Sequence, residues 1–150
     1  MNLEDALYIS KGNRSSKVIY QNQTKIFDLT INNLINKELQ KSLSTIESRL
    51  LSTKRAYNIQ KYVPIYINQS CILQPISKTT DWNYTLVNVC NIKDVLSINN
   101  QTIIRFDGDI SLIVDLSIRR LKNYLKNCYK ILETQKTIER DNINYVKEKH

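Results

Sequence analysis

Between Val95 and Val114 three runs rich in β-branched and apolar residues follow one another: Val95 to Ile98, Thr102 to Phe106 and Ile110 to Val114. They are parted by Asn99-Asn100 and by Asp107-Gly108. Those residue types tolerate the positive φ angles of a tight hairpin turn, so the segment predicts a three-stranded antiparallel meander. Any fold for the chain has to accommodate it.

A second stiff element lies upstream, in VPIYINQSCILQPISKTTDW. Pro64 holds its own φ at about −65° and lacks an N–H, which suits the entry to a strand. Ile65-Tyr66-Ile67 and Cys71-Ile72-Leu73 read as strands joined by the turn Asn68-Gln69-Ser70, with Pro75 closing the second. The two prolines therefore bracket a hairpin. Trp82, the sole tryptophan, opens the next β-rich run, WNYTLVNV, and is expected to lie over the hairpin as core. Nearer the N-terminus, Ser16 to Gln21 and Thr24 to Leu29 bracket Asn22-Gln23 as another strand pair.

From Thr30 the apolar period changes from two to three and four. Ile31, Leu34, Ile35, Leu39, Leu43, Ile46 and Leu50 form one stripe, which predicts a helix with Thr30 as its N-cap. After the meander, Ile118, Leu121, Leu125, Cys128 and Leu132 predict a long C-terminal helix capped by Asp115 or Ser117. That stripe suits packing onto a sheet and a two-helix seam between copies equally. Arg119, Arg120, Lys122, Lys126 and Lys130 occupy the opposite face, and residues 133–150 thin into a basic, polar helical tail that is expected to fray. The fold class that follows is α+β: a mainly antiparallel β-sheet with one helix in the N-terminal half and a long C-terminal helix, in one domain over 1–150.

The residues restrict the chemistry. The single histidine is His150, so a Ser-His-Asp or Cys-His nucleophile system lacks its base. Gly12 and Gly108 stand outside any phosphate-cradling motif. Asp107 and Asp109 flank Gly108, and turn chemistry accounts for them without a cation. Cys71, Cys90 and Cys128 are odd in number with no CxxC pair, and read as reduced core thiols. No enzyme activity, cofactor or metal is expected. The stretch MNLEDALYISKGN has neither a basic n-region nor an apolar h-region, and no run approaches the ~18 apolar residues of a membrane span. A cytoplasmic location is the expectation.

Charge then suggests the partner. Lys and Arg number 22 against 14 Asp and Glu, a formal charge of +8, which attracts polyanions at moderate salt. Nucleic acid leads, with an anionic membrane surface second. In SRLLSTKRAYNIQKY, Arg49, Lys54, Arg55 and Lys61 alternate with Tyr57 and Tyr62. Such cations neutralise phosphates while tyrosines donate to phosphate oxygens or pack on sugars. A plain solvated helix face fits the same composition equally well. Lys17, Lys78 and Arg105 are secondary candidates for the DNA-binding surface.

The order Ser44-Thr45, Arg49 and Thr53, then Tyr62-Val63-Pro64-Ile65, then Ile72-Leu73-Gln74-Pro75-Ile76-Ser77, then Trp82, resembles the core of ComK, the competence transcription factor family of Gram-positive bacteria. Ser16-Lys17-Val18-Ile19 upstream, Arg105-Phe106-Asp107-Gly108 downstream and a Ser-preceded helix near Ser117 extend the resemblance from about residue 16 to about residue 132. The pattern departs at Gln74 and Ile76, where the family carries an aromatic and a Thr, and at Ser48, where it often carries Gly. It departs again at Thr80 and Asp81, where a Cys commonly precedes the tryptophan. The resemblance implies an activator that binds A/T-rich double-stranded DNA in promoters of DNA-uptake genes, through the minor groove and as a homo-oligomer. Transcription machinery or a proteolytic adaptor would be further partners. A reading from another class stays open: a non-catalytic interaction module, or degenerate paralogue, that modulates a full-length relative.

Overall fold

Strand residues alternate between two faces, and here both faces are covered. The computed structural model describes residues 2–149, with side chains through residue 144. Six strands form one antiparallel sheet: β1 (Ala6–Lys11), β2 (Ser16–Tyr20), β3 (Thr24–Phe27), β4 (Ile65–Asn68), β5 (Cys71–Pro75) and β6 (Thr85–Asn88). Their order is β3-β2-β1-β6-β5-β4. On one face Ile9, Val18, Leu73 and Leu86 pack under helix α1 (Ile31–Leu39) and under Ile46, the first residue of α2 (Ile46–Tyr57). On the other face Leu7, Ile19, Ile72 and Val87 meet a second sheet and helix α3 (Ile118–Lys149). A doubly covered sheet has no polar side, which is why β4 and β5 read as continuous apolar runs.

The second sheet is the expected meander, β7 (Ile92–Ile98), β8 (Gln101–Phe106) and β9 (Ile110–Val114). Asn99 and Asn100 take φ of 52° and 64°, and Gly108 and Asp109 take 82° and 61°, so the turn residues do what their chemistry allows. The proline-framed hairpin also forms: Ile65 faces Leu73 and Tyr66 faces Ile72, and the Ser70 N–H donates to Asn68 Oδ1 at 2.8 Å across the turn. Ser117 caps α3 by accepting the Arg120 N–H at 3.2 Å. Leu121, Leu125 and Cys128 of the expected stripe are buried on the protein's own sheets together with Ile131, Ile118 and Leu132 are half-buried, and α3 runs on past the point where the stripe thins. Cys71, Cys90 and Cys128 are free thiols; burial pushes the Cys71 and Cys128 thiols far above their ordinary range, which makes them unreactive packing groups.

Three features depart from the sequence reading. The N-terminal strand β1, which periodicity did not announce, lies at the middle of the sheet, with Ile9 between Val18 and Leu86. The helix expected from Ile31 through Leu50 is two helices: α1 ends at Leu39, a 3-10 turn spans Gln40–Ser42, and Leu43 adopts φ 55°. Thr30 caps α1 as expected, accepting the Asn33 N–H at 3.2 Å. Thr45 caps a new helix through the Ser48 N–H at 3.1 Å, while Asn36 Oδ1 accepts the Ile46 N–H at 2.8 Å. Ser, Thr and Asn side chains thus offer the backbone competing hydrogen bonds, and they outweigh the stripe. Leu43, counted in that stripe, is 97% exposed.

Trp82 is the third departure. It does not cover the hairpin; it is 85% exposed. An indole of roughly 150–250 Å² at about 25 cal/mol per Å² forgoes roughly 3–5 kcal/mol of burial in that position.

Candidate nucleic-acid interface

A groove of about 600 Å³ opens between α2, the segment Gln60 to Val63 and the loop after β5. Lys54 enters it from α2, Lys61 from the segment beyond that helix, and Lys78 from the far wall. Val63, Ile65, Pro75 and Tyr84, all buried, supply its apolar lining. Among the described residues Glu47 is the one acid there, so the groove is positive by three lysines against one carboxylate. A second groove of about 420 Å³ carries Lys11 and Arg14. Asn32, Thr79 and Tyr84 line both grooves, which makes them adjoining parts of one surface.

Local chemistry fixes the pieces. Lys11 and Arg14 sit at the β1–β2 turn, where the Gly12 N–H donates to Ser15 O at 3.0 Å. A Cβ on Gly12 would come within 2.3 Å of Ser15 Oγ, so a larger residue there would have to turn the Ser15 hydroxyl away. Tyr62 has φ 52° and its carbonyl accepts the Gln74 Nε2–H at 2.8 Å. Gln74, 1% exposed, also donates to Pro75 O at 2.9 Å and accepts from Cys128 Sγ at 3.2 Å. The glutamine that stands where the resemblance would have an aromatic therefore pins the Lys61-bearing segment to the core.

Tyr62 carries the surface across to α3. Its ring stacks on Tyr124 with centroids 5.2 Å apart and planes inclined by 16°. The Arg120 guanidinium lies 5.6 Å and 5.8 Å from the Tyr62 and Tyr124 centroids and donates to Tyr124 Oη at 2.8 Å. Arg120 is thereby held beside the groove, its cation against an aromatic pair.

The seven candidates from the sequence separate. Lys54, Lys61 and Lys78 share the groove. Arg55, exposed, points about 100° round the helix from Lys54. Arg49 faces the opposite flank of α2: its Nε donates to Ser44 Oγ at 3.0 Å and its guanidinium lies 5.5 Å from the Tyr66 centroid. Tyr66 in turn donates to Glu139 Oε1 at 2.8 Å and accepts from Gln69 Nε2 at 3.0 Å, so Arg49 belongs to a clamp joining α2, β4 and α3. Lys17 lies on β2 opposite Ser10 and Ile26 and lines neither groove. Arg105 is engaged by Asp94 at 2.7 Å and 2.6 Å, a pair that holds the Asp94 carboxyl below its ordinary range. The sequence reading missed Lys11, Arg14 and Arg120 as members of the surface. For the first two the signal was present, two cations bracketing a Gly-Asn turn; for Arg120 it was not, because only folding brings it to Tyr62.

These features define a class: an α+β protein whose distinctive surface, among the described residues, is a pair of adjoining basic grooves that Tyr62 and Tyr84 help to wall. The chain belongs to the ComK family, whose model, described as ComK protein, matches residues 5–139. It is a family of transcription factors rather than of enzymes. The match reaches beyond the resemblance in both directions and takes in β1 and most of α3. Neither a curated protein nor a solved structure matches the chain. No helix among the described residues is long and apolar enough to cross a membrane. His150, on which the exclusion of a histidine-based nucleophile rested, lies outside the described residues.

Proposed function

We propose that the protein is a DNA-binding transcription activator of competence genes that recognises A/T-rich promoter boxes through the minor groove, as a homo-oligomer in the cytoplasm. The observation that carries this is the convergence of Lys54, Lys61 and Lys78, from three separate segments, on one groove in a chain of the ComK family. A narrow A-tract minor groove concentrates negative potential and draws cations in, and it offers shape rather than a unique donor and acceptor code. Lysines on an apolar-lined groove suit that task better than they suit reading base edges. Arg14 and Lys11 extend the positive surface, and Arg120 borders it.

Titration of a labelled A/T-box duplex against a scrambled GC-rich duplex tests the reading. The expectation is preference for the A/T duplex, with non-specific affinity on the order of 10⁻⁴ to 10⁻⁶ M at physiological salt. A Lys54→Ala, Lys61→Ala, Lys78→Ala variant should bind with a log K against log salt slope shallower by about 2.7, at roughly 0.9 for each phosphate that a lysine no longer neutralises. Equal affinity for both duplexes, or an unchanged slope, refutes the reading.

A second reading draws on the outer face of the meander, where Leu96, Ile103 and Ile113 stand side by side across the three strands with Ile113 61% exposed. An apolar row of that kind suits a protein interaction module that modulates a longer relative. Analytical ultracentrifugation of the two proteins mixed distinguishes it: a heteromer with weakened DNA binding favours this second function.

A further inference from the structure

The loop between β5 and β6 borders both basic grooves through Thr79, and Trp82 stands on it. The loop is closed by its own hydrogen bonds. The Lys78 N–H donates to Asp81 Oδ2 at 3.1 Å, the Asp81 N–H to Lys78 O at 3.0 Å and the Tyr84 N–H to Asp81 O at 3.2 Å. At its base the Thr85 N–H donates to Ser77 Oγ at 3.0 Å, and the Thr85 hydroxyl to Asn83 O at 2.8 Å. The indole therefore stands exposed on an ordered turn whose residues border both grooves, Thr79 lining both and Lys78 lining the one that holds Lys54 and Lys61. An exposed planar aromatic on a loop that borders cation-bearing grooves matches a ligand that is polyanionic at its rims and stackable between them. A nucleic-acid duplex has that chemistry: two phosphate rows with base edges in the groove between, and base faces wherever a step is unstacked.

We propose that Trp82 is a base-contacting wedge, which enters the minor groove and stacks on a base step while the two basic grooves hold the flanking phosphate rows. Apolar side chains inserted between base steps unstack them partially, and A/T-rich steps yield most readily where they include TA. Trp82 would then select deformable steps, a form of recognition the lysines do not supply. The inference rests on the duplex-binding reading above, and its test separates the two.

The sole tryptophan reports on itself, so the first measurement needs no variant. A fluorescein-tagged A/T-rich duplex is titrated with unlabelled protein, and tag anisotropy and indole emission per protein are followed together. Emission should be quenched in step with the anisotropy rise, as stacking on a base requires. Trp82→Ala should bind about 5- to 150-fold more weakly, the range for removing one stacked base, with the salt slope unchanged because no charge is lost; Trp82→Phe should recover most of the affinity. Because the side chain is 85% exposed, the alanine variant keeps the fold, which circular dichroism checks. Binding with unaltered emission, or an alanine variant that binds as well as the parent, overturns the wedge and leaves duplex binding standing. No anisotropy rise with any duplex overturns both. A blue shift on phosphatidylglycerol vesicles with no response to duplex also overturns both, and assigns the indole to a membrane surface.

Discussion

Replacing Arg49 with alanine should destabilise the protein without changing how its DNA affinity depends on salt. The guanidinium stacks 5.5 Å from the Tyr66 centroid and its Nε donates to Ser44 Oγ at 3.0 Å, in a partly buried site between α2 and α3. A cation–π contact of that kind contributes roughly 0.5–2 kcal/mol, and a hydrogen bond from a charged donor about 1.5 kcal/mol net. Their sum is about 2–3 kcal/mol before the loss of packing. With a urea m-value of roughly 2 kcal/mol/M, within the range for small proteins, the midpoint should fall by about 1 M. Arg49→Lys keeps the charge but neither the planar stack nor the fixed donor, so it should restore less than half the loss. Urea denaturation monitored by far-UV circular dichroism gives the first quantity. Duplex binding from low to moderate salt, at a temperature where the variant is folded, gives the second. A slope shallower by about 0.9 with an unshifted midpoint would mean that Arg49 grips a phosphate, and the division of the cations drawn above would be wrong.

Leu43→Gly should stabilise the chain: the left-handed conformation costs leucine about 1–2 kcal/mol, the extra freedom of unfolded glycine returns about 0.5–1 kcal/mol, and a side chain 97% exposed has no packing to lose. A rise of roughly 2 °C in Tm by calorimetry is expected, and a fall would show that Leu43 is covered in solution. Burial pushes Tyr66 and Tyr84 up to about 12 from an ordinary value of 10.0, with the hydrogen bond to Glu139 adding to the Tyr66 shift. Because the folded values exceed the unfolded ones, this contribution to stability is complete below pH about 10 and is lost as pH rises towards about 12. Tyrosinate absorbance from these residues should appear together with loss of near-UV circular dichroism, and ionisation without unfolding would contradict the burial. Gln74→Leu should cost about 1–3 kcal/mol by leaving the Tyr62 carbonyl without its donor. It should also weaken duplex binding at constant salt slope, since it frees the segment that carries Lys61 without removing a charge.

Much of the fold was legible wherever one short-range rule acted alone. Asn99-Asn100 and Gly108-Asp109, one residue on from the expected Asp107-Gly108, sit at turns because few residues accept their φ angles, and the prolines frame a hairpin because neither continues a ladder on its N–H side. The misreadings arose where two local rules competed. From Leu39 to Leu50 the apolar spacing is unbroken, yet Thr45 and Asn36 satisfy backbone donors that a continuous helix would have used internally, and the chain turns at Leu43. Strand β1 was hidden for another reason. Its neighbours β2 and β6 are separated by more than sixty residues in the chain, and a strand buried between them shows no polar alternation.

The candidate surface was less legible, and the reason is geometric. Arg49, Lys54 and Arg55 are near in sequence, but at 100° per residue a helix sends Arg49 about 140° away from Lys54 and Arg55 about 100° away on the other side. Density of charge along a helical segment therefore says little about density on one face. Lys61 and Lys78 are seventeen residues apart and still line one groove, because the Pro64–Pro75 hairpin returns the chain to the same edge of the sheet where α2 ends. The hairpin is thus the device that assembles the surface rather than a part of it. Its stiffness matters to the cations it places, since every side chain already held in position lowers the entropy lost on binding. The same logic applies to Trp82: a fold that leaves its largest apolar side chain in water, on a turn closed by five hydrogen bonds, has fixed the backbone that carries it before any ligand arrives.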